Sequence, residues 1–319
     1  MRHACARGPM EIAKKSDVLI GYAAAVGCPA ESCEAGKAGV CQGCPGRELC
    51  LQQQGGVDED QKYINVRMKA IKKKILVLSG KGGVGKSTVA ACLGMALAKL
   101  NTKVGILDLD ICGPSIPKLL AVEGQAVVNS QYGWTPLRSP HSEVKVMSVG
   151  CLLGESDSPV VWRGPRKSSL IKQFLKDTFW GRLDYLIFDT PPGTSDEHLT
   201  VVKMLLNVKP EGAILVTTPQ DVALATIRKE ISFCRKMSLN IIGIVGNMAS
   251  YVCPCCKEES PIFTDDGGVQ SLCNEYSIPF LGTVPLDPVL VMCCETGTNV
   301  YEQNSIAADT LLDIARTLL

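Results

Sequence analysis

The segment that most restricts the fold of this chain runs from residue 80 to residue 88 and reads GKGGVGKST. It fits the pattern G-x-x-x-x-G-K-[ST], a loop whose backbone N–H groups surround the phosphates of a nucleotide. An apolar run, residues 75–79, precedes the segment and a helix-forming run, residues 90–100, follows it. This is the strand–loop–helix context that the pattern requires, so the sequence predicts a nucleotide-binding loop.

The residue types in this loop explain its chemistry. Gly82, Gly83 and Gly85 let the backbone curl tightly and approach phosphate oxygens that a Cβ would obstruct. Lys86 is expected to place its charge on the β- and γ-phosphates, and the Ser87 hydroxyl to ligate Mg²⁺. The predicted nucleotide contacts are the whole loop: Gly80, Lys81, Gly82, Gly83, Val84, Gly85, Lys86, Ser87 and Thr88.

From about residue 70 onward, apolar strands alternate with amphipathic helices. The predicted strands are 74–79, 103–108, 144–149, 183–188, 212–217, 241–246 and 279–283. The predicted helices are 86–100, 166–178, 195–207, 222–237 and 305–318. Continuous apolar strands joined by helices favour a doubly wound α/β fold, with a mainly parallel sheet of the P-loop NTPase type. Ligands of such sheets bind at the carboxyl ends of the strands.

The chain is expected to have three parts. Residues 1–27 form an extension of unknown order, and residues 70–319 form the ATPase domain. Residues 28–60 carry five cysteines and very few core-forming residues, so this cysteine-rich extension needs a metal centre or a partner surface to become ordered.

Two aspartates that follow predicted strands are candidate catalytic residues. Asp189 is assigned to the Mg²⁺ side of the site and Asp110 to positioning the attacking water, with Asp108 as a rival for the second role. Lys81 is expected to reach the nucleotide of a facing protomer, as an arginine finger does, which predicts a nucleotide-dependent dimer. Each aspartate could instead be a helix N-cap, and Lys81 could be a solvated surface lysine.

The base is expected to lie against Asn247 and Pro285. An asparagine amide both donates to and accepts from a purine edge. Asn247 is followed by Met-Ala-Ser, with no aspartate placed to pair the two donors of guanine. Adenine, and therefore ATP, is favoured.

Sixteen cysteines are present, and two groups of them have ligand spacing. Cys41, Cys44 and Cys50 form one group, with Cys28 or Cys33 as the fourth ligand, and an iron–sulfur cluster is favoured there over zinc. Cys253 and Cys256 supply two ligands, which two chains related by symmetry would raise to four. A structural or redox role for this pair stays open. Small buried thiols are expected at Cys92, Cys151, Cys234 and Cys273, while Cys255, Cys293 and Cys294 receive no role.

The remaining composition restricts location and partners. The net charge is +1, so no general electrostatic attraction to nucleic acid or to an anionic membrane is expected. The longest apolar runs are too short to span a membrane. A long chain with a phosphate loop and many cysteines favours a reducing, cytoplasmic location.

Taken together, these segments resemble the Mrp/NBP family of deviant P-loop ATPases, which are scaffolds for iron–sulfur cluster assembly. The resemblance runs from about residue 28 to the C-terminus and is carried by GKGGVGKST together with LDLDICGPSIPKLL (107–120), VVWRGPRKSSLIKQFL (160–175), LIFDTPPGTSDEH (186–198), TTPQDVAL (217–224), NMASYVCPCC (247–256) and FLGTVPLDP (280–288). The N-terminal cysteine segment is closest to the cytosolic assembly factors of the nucleotide-binding protein one type.

This resemblance implies a [4Fe–4S] cluster on Cys28, Cys41, Cys44 and Cys50, and a labile [4Fe–4S] cluster bridging two chains through Cys253 and Cys256. It implies ATP hydrolysis coupled to transfer of clusters to cytosolic and nuclear apo-proteins, with downstream targeting factors. It also implies a homodimer, or a heterotetramer with a shorter related ATPase. The alternative is a MinD/ParA-like spatial-organising ATPase with structural metal-binding cysteines.

Overall fold

The computed structural model describes Gln42 and residues 59–111, 113–152, 164–193, 196–263 and 268–319. The chain separates into two units, Met1–Lys62 and Tyr63–Leu319. The predictions for residues 1–27 and for the N-terminal cluster ligands lie outside the described residues; these ligands are Cys28, Cys41, Cys44 and Cys50.

A nine-stranded, mostly parallel sheet organises the described part of the second unit. Its order is β10-β9-β8-β1-β7-β2-β6-β5, with β11 also paired to β9. The strands of this sheet are β1 (Ile71–Leu78), β2 (Val104–Asp108), β5 (Leu137–Arg138), β6 (Lys145–Ser148), β7 (Leu183–Asp189), β8 (Gly212–Thr217), β9 (Ile241–Val252), β10 (Glu259–Pro261) and β11 (Phe280–Leu286). The strands β3 (Val128–Ser130) and β4 (Gly133–Thr135) form a separate antiparallel hairpin.

Helices connect these strands. In the described ranges they are α1 (Glu59–Lys69), α2 (Lys86–Lys99), α3 (Ile116–Leu119), α4 (Gly164–Asp177), α5 (Asp196–Leu206), α6 (Asp221–Lys236), α7 (Gly268–Tyr276), α8 (Pro288–Thr296) and α9 (Ile306–Thr317), with short 3₁₀ turns at Val149–Cys151 and Val300–Glu302. None of them is long and apolar enough to cross a membrane.

The sheet is covered on both faces, which explains why its central strands are apolar throughout. Successive residues of a strand point to opposite faces. In β1, Val77 therefore packs into the cluster that contains α2 and α9, while Leu76 and Leu78 pack into the cluster that contains α4, α5 and α6. All three are completely buried. Strands buried on both faces are typical of parallel sheets flanked by helices.

The predicted fold class is confirmed, because the structure is mixed α/β with a mostly parallel central sheet of the P-loop NTPase type. Each of the seven predicted strands and five predicted helices corresponds to an observed element, and all bounds except the end of strand 241–246 agree to within about three residues. The prediction that a strand ends at residue 246 is wrong, since β9 continues to Val252. Its parallel pairing with β8 stops at Gly246, and its antiparallel pairing with β10 then begins at Ser250. Helices α1, α3, α7 and α8 and strands β3, β4, β5 and β10 were not predicted.

Candidate functional site

The predicted nucleotide loop lies between the end of β1 and the start of α2, at the carboxyl edge of the sheet. It borders a cavity of about 230 Å³ that is also lined by Asp110, Ser115 and Pro192. The loop residues that line this cavity are Lys81, Gly82, Gly83, Gly85, Lys86, Ser87 and Thr88. Of the nine predicted contacts, Gly80 and Val84 are not in the cavity lining, and the Val84 side chain packs in the core.

Gly83 and Gly85 have φ angles of +77° and +79°, in the left-handed region that favours glycine. A Cβ on Gly83 would meet nothing within 4 Å, whereas a Cβ on Gly85 would overlap the side-chain amide of Asn247. The two glycines are therefore needed for different reasons: Gly83 for its backbone conformation, and Gly85 for its conformation and for the close approach of Asn247.

Three polar side chains converge beneath the loop. Lys86 Nζ lies 2.5 Å from Asp189 Oδ1, and Ser87 Oγ donates to Asp189 Oδ2 over 2.5 Å. Lys86 is 6% exposed and Asp189 is completely buried. Removing one partner of such a buried ion pair typically costs about 3–5 kcal/mol. The serine hydroxyl and the carboxylate provide adjacent oxygen atoms, which are the donors that Mg²⁺ prefers, so the residues fit a magnesium ion.

Asp108 and Asp110, the two candidates for positioning the attacking water, occupy different environments. Asp108 is completely buried, and it accepts hydrogen bonds from Ser148 Oγ at 2.9 Å and from the Asp110 N–H at 3.0 Å. Burial, followed by the nearby charge of Asp189, raises the pKa of Asp108 to about 8. Asp110 lines the phosphate-loop cavity instead. The geometry thus gives cavity access to Asp110, and its role with water stays a prediction.

Lys81 contacts its own chain in this structure. Its Nζ donates to Gln220 Oε1 over 3.1 Å on an exposed surface. Gln220 is the N-cap residue of α6. The predicted reach of Lys81 to a facing protomer is a property of two chains and stays a prediction.

A second cavity, of about 410 Å³, adjoins the first, and both are lined by Thr88 and Ser115. Asn247 and Pro285, the two residues predicted to contact the base, both line it. One amide hydrogen of Asn247 is already used, because Nδ2 donates to the Val84 carbonyl over 2.9 Å. Asn247 therefore braces the nucleotide loop in addition to facing this cavity.

Helix α8 brings residues to this second cavity that the sequence reasoning missed. Cys294 lines the cavity, whereas Cys293 is buried in the core. The hydrogen bond with Cys92, and then the one with Thr88, lowers the pKa of the Cys294 thiol despite its partial burial. At the cavity lining, Lys118 pairs with Glu295 over 2.5 Å.

Ordinary helix signals could have located α8 in the sequence. Asp287 is its N-cap and accepts from the Val289 N–H over 2.9 Å. Pro288 occupies the first helical position, and Gly297 ends the helix with a φ of +69°. An N-cap aspartate, a proline at the first position and a glycine after the last turn are typical helix boundaries.

The cysteine pair Cys253/Cys256 lies in the turn of the hairpin formed by β9 and β10. The turn is closed by hydrogen bonds between Lys257 N–H and the Cys253 carbonyl and between Cys253 N–H and the Glu258 carbonyl, each 2.9 Å long. Cys253 is partly exposed, and Cys255 and Cys256 are exposed. Hydrogen bonds from the backbone N–H groups of Cys256 and Cys255 lower the pKa of the Cys253 thiol.

This arrangement favours a ligand that binds thiolates, because the backbone already stabilises negative charge on sulfur. Within the described ranges, no three histidine, cysteine, aspartate or glutamate side chains gather as a metal site. Of the cysteines predicted to be buried, Cys92, Cys234 and Cys273 are buried and Cys151 is partly exposed.

Comparison with known proteins identifies the family. The model of the NUBPL iron-transfer P-loop NTPases, in the ParA group, matches residues 70–319. The chain belongs to this family. The resemblance seen in the sequence is thereby confirmed, and the phosphate loop and the cysteine hairpin described above both lie in the matched region.

Several solved structures are also similar to this chain. A nucleotide-binding protein from Archaeoglobus fulgidus, in complex with ADP and with Co found by PIXE, is 38% identical, with a TM-score of 0.67 over 76% of this chain and 94% of that chain. The cell division ATPase MinD from Pyrococcus furiosus is 22% identical, with a TM-score of 0.56 over 77% of this chain and 98% of that chain. A chain of the MinC:MinD cell division protein complex from Aquifex aeolicus is 20% identical, with a TM-score of 0.58 over 77% of this chain and 95% of that chain. These last two structures share the fold of this NUBPL-family chain.

Proposed function

We propose that this chain is an ATP-dependent scaffold that assembles iron–sulfur clusters and transfers them to cytosolic and nuclear apo-proteins. The observation that carries the proposal is the course of strand β9. This strand contains Asn247, which donates a hydrogen bond to the nucleotide loop, and Cys253 follows six residues later in the hairpin turn. At about 3.3 Å per residue, the two sites are at most about 20 Å apart along the chain.

The nucleotide is proposed to be ATP with Mg²⁺. Membership of a P-loop NTPase family and the ADP bound to the Archaeoglobus fulgidus protein support this assignment. Ser87 and Asp189 would hold the magnesium ion, which neutralises charge on the phosphates. Asn247 and Pro285 would contact adenine in the 410 Å³ cavity.

Hydrolysis is proposed to use four side chains with separate roles. Lys86 binds the phosphates after leaving Asp189, and Asp110 orients the attacking water from the cavity wall. Asp189 would help to hold the magnesium ion, and Lys81 would neutralise charge on the nucleotide of the facing chain. These roles supply positioning and charge stabilisation, which are the main contributions of proteins to phosphoryl transfer.

The clusters are proposed to be cargo rather than redox cofactors. One [4Fe–4S] cluster would bridge two chains through Cys253 and Cys256 of each. A second would bind Cys28, Cys41, Cys44 and Cys50 in the segment 28–60, ahead of the ATPase domain 70–319. Because Cys253 and Cys256 of one chain supply only two of the four ligands, a homodimer, or a heterotetramer with a shorter related ATPase, completes the four-thiolate set.

We place the protein in the cytoplasm, with apo-proteins and downstream targeting factors as its partners rather than nucleic acid or a membrane. A spatial-organising ATPase of the MinD/ParA type would need a free amphipathic helix or a basic surface for its partner. The apolar face of the C-terminal helix α9 is not free, since Ala308, Leu311 and Ile314 are buried in the core that includes α2. This observation favours the scaffold.

The proposal is tested by anaerobic purification and reconstitution, followed by measurement of iron and sulfide. Cys253→Ala and Cys256→Ala should each lose the labile iron of the bridging cluster. Cys255→Ala is the matched control, because it removes an adjacent thiol of the same hairpin and keeps the backbone N–H that stabilises Cys253. Wild-type protein that binds no iron after reconstitution would reject the scaffold, and equal loss in the Cys255 variant would reject the assigned pair.

A further inference from the structure

Two ionisable side chains that the proposed chemistry does not use face each other inside the protein. His198 on α5 and Glu230 on α6 have no exposed surface, and His198 Nε2 lies 2.9 Å from Glu230 Oε1. The two atoms are close enough for an ion pair or a hydrogen bond, depending on where the protons lie. The imidazole also packs edge-on against Phe233 of α6, with 5.0 Å between the ring centroids.

The other ring nitrogen of His198 contacts the loop that follows Asp189. His198 Nδ1 lies 3.2 Å from the carbonyl oxygen of Pro191, two residues beyond Asp189. In the same loop, the Gly193 N–H donates to the Ser79 carbonyl over 2.8 Å. This loop therefore lies between the imidazole and the start of the nucleotide loop.

These contacts determine how many protons the pair holds. A carbonyl oxygen only accepts, so Nδ1 must carry a hydrogen to make a favourable contact with Pro191. A carboxylate and an imidazole lone pair would repel each other at 2.9 Å, so a second proton must lie between Nε2 and Glu230. This geometry favours two protons on the pair, which is then neutral overall, whether it is written as imidazolium with carboxylate or as imidazole with carboxylic acid.

Helix α6, which carries Glu230, also abuts the nucleotide loop directly. Its N-cap Gln220 accepts from Lys81. A Cβ on Gly80 would lie 2.6 Å from the backbone carbon of Thr226, so helix and loop are in close contact. The buried pair consequently links the loop after Asp189 to a helix that contacts both Gly80 and Lys81.

We propose that His198 and Glu230 are positioning residues for nucleotide hydrolysis. Through the Nδ1–H contact with Pro191, the doubly protonated pair fixes the loop that follows Asp189 against α6 and the nucleotide loop. The activity readout below rests on the proposed ATPase function, whereas the structural readouts do not require nucleotide.

The first readout is the protonation of the ring. The chain contains only three histidines, His3, His141 and His198, so ¹⁵N-histidine labelling gives an assignable spectrum, with His141→Gln as the assignment control. In the nucleotide-free wild type, Nδ1 of His198 should carry a hydrogen. In Glu230→Gln the amide can donate to Nε2, so the ring should be neutral with the hydrogen on Nδ1. A wild-type ring without a hydrogen on Nδ1 would overturn the proposal.

The second readout is hydrogen exchange at the Gly193 amide, again without nucleotide. Glu230→Leu and His198→Phe remove the polar link and should accelerate exchange in the loop by about tenfold or more. Glu230→Gln and His198→Asn, which keep a donor near Pro191, should stay within about threefold of the wild type. Equal exchange in all four variants would contradict a positioning role.

The third readout separates kcat from KM. Glu230→Leu should lower kcat by about tenfold or more with little change in KM, and Glu230→Gln should restore most of kcat. If exchange and ring protonation follow the pattern above but the wild type hydrolyses no nucleotide, the proposed ATPase function fails and the link itself stands. Glu230→Gln acting as poorly as Glu230→Leu would overturn the positioning role even in an active enzyme.

Discussion

The side-chain amide of Asn247 donates a 2.9 Å hydrogen bond to the main-chain carbonyl of Val84, joining strand β9 to the nucleotide loop across 163 residues of sequence. The next residue of the loop, Gly85, leaves no room for a side chain beside this amide. The strand that leads into the cysteine hairpin and the predicted nucleotide loop are thus in direct contact.

This contact predicts different effects for two glycines of the same loop. Replacing Gly83 by Ala strains a left-handed backbone and should lower the free energy of unfolding by about 1–2 kcal/mol. Gly85→Ala adds the overlap with Asn247, which should cost about 1–3 kcal/mol more. Urea unfolding without nucleotide measures both. In Gly85→Ala/Asn247→Ala the additional loss should shrink, and strictly additive costs would contradict the contact.

A second prediction concerns the pH dependence of stability. The pKa of Asp108 is raised from its ordinary 3.8 to about 8, so the folded protein binds its proton more tightly than the unfolded chain does. Its contribution to stability is complete below pH 4 and is lost as the pH rises toward about 8. Relative to wild type, Asp108→Asn should gain a few kcal/mol over this interval, measured by urea unfolding without Mg²⁺ or nucleotide.

Ser148→Ala tests the same prediction in the opposite direction. It removes the hydroxyl that donates to the Asp108 carboxyl, so the upper end of the pH interval should move to higher pH. Parallel pH profiles for wild type and Asp108→Asn would show that this carboxyl does not titrate as the structure indicates.

A third prediction tests whether Lys81 acts across a dimer. Lys81→Ala and Asp110→Asn should each be inactive alone. In mixed dimers, the Lys81→Ala chain keeps its own Asp110 and receives Lys81 from the other chain. An equal mixture should therefore regain about a quarter of wild-type ATPase activity, because half of the dimers have one complete site.

The control for this experiment is Gln220→Ala, which removes the partner of Lys81 within its own chain. It should leave ATPase activity at or above the wild-type value if Lys81 has to leave Gln220 to act. Mixtures that stay as inactive as the separate variants would place the function of Lys81 within one chain.

A fourth prediction uses the thiol in the second cavity. Cys294 lines the space proposed for the base, and its lowered pKa increases the fraction of reactive thiolate. ATP or ADP should slow its alkylation by iodoacetamide by about tenfold or more, as measured by peptide mass mapping. Cys253, whose pKa is also lowered, lies in the hairpin turn and serves as an internal control. Equal protection of both thiols, or of neither, would contradict this placement of the base.

Much of the architecture could be predicted because its signals are local. The alternation of apolar strands and amphipathic helices located the principal strands and helices to within a few residues. The short edge strands contain too few residues for a clear pattern, and β9 extends beyond its predicted end because pairing with β11, and then with β10, continues it. Whether Asp108 or Asp110 lines the cavity could not be resolved from sequence, because it depends on where β2 ends and on how the chain turns after Asp108.

The sequence by itself determined the nucleotide loop, the parallel sheet and the family, because these depend on contiguous residues whose backbone preferences act within a few positions. Only the tertiary structure decided that Asp110 rather than Asp108 reaches the cavity, that Asn247 braces Val84, and that His198 meets Glu230. Such contacts join residues distant in the chain, and they depend on how strands register and helices pack. The orientation of these side chains is therefore set by the folded core and cannot be read from any local segment.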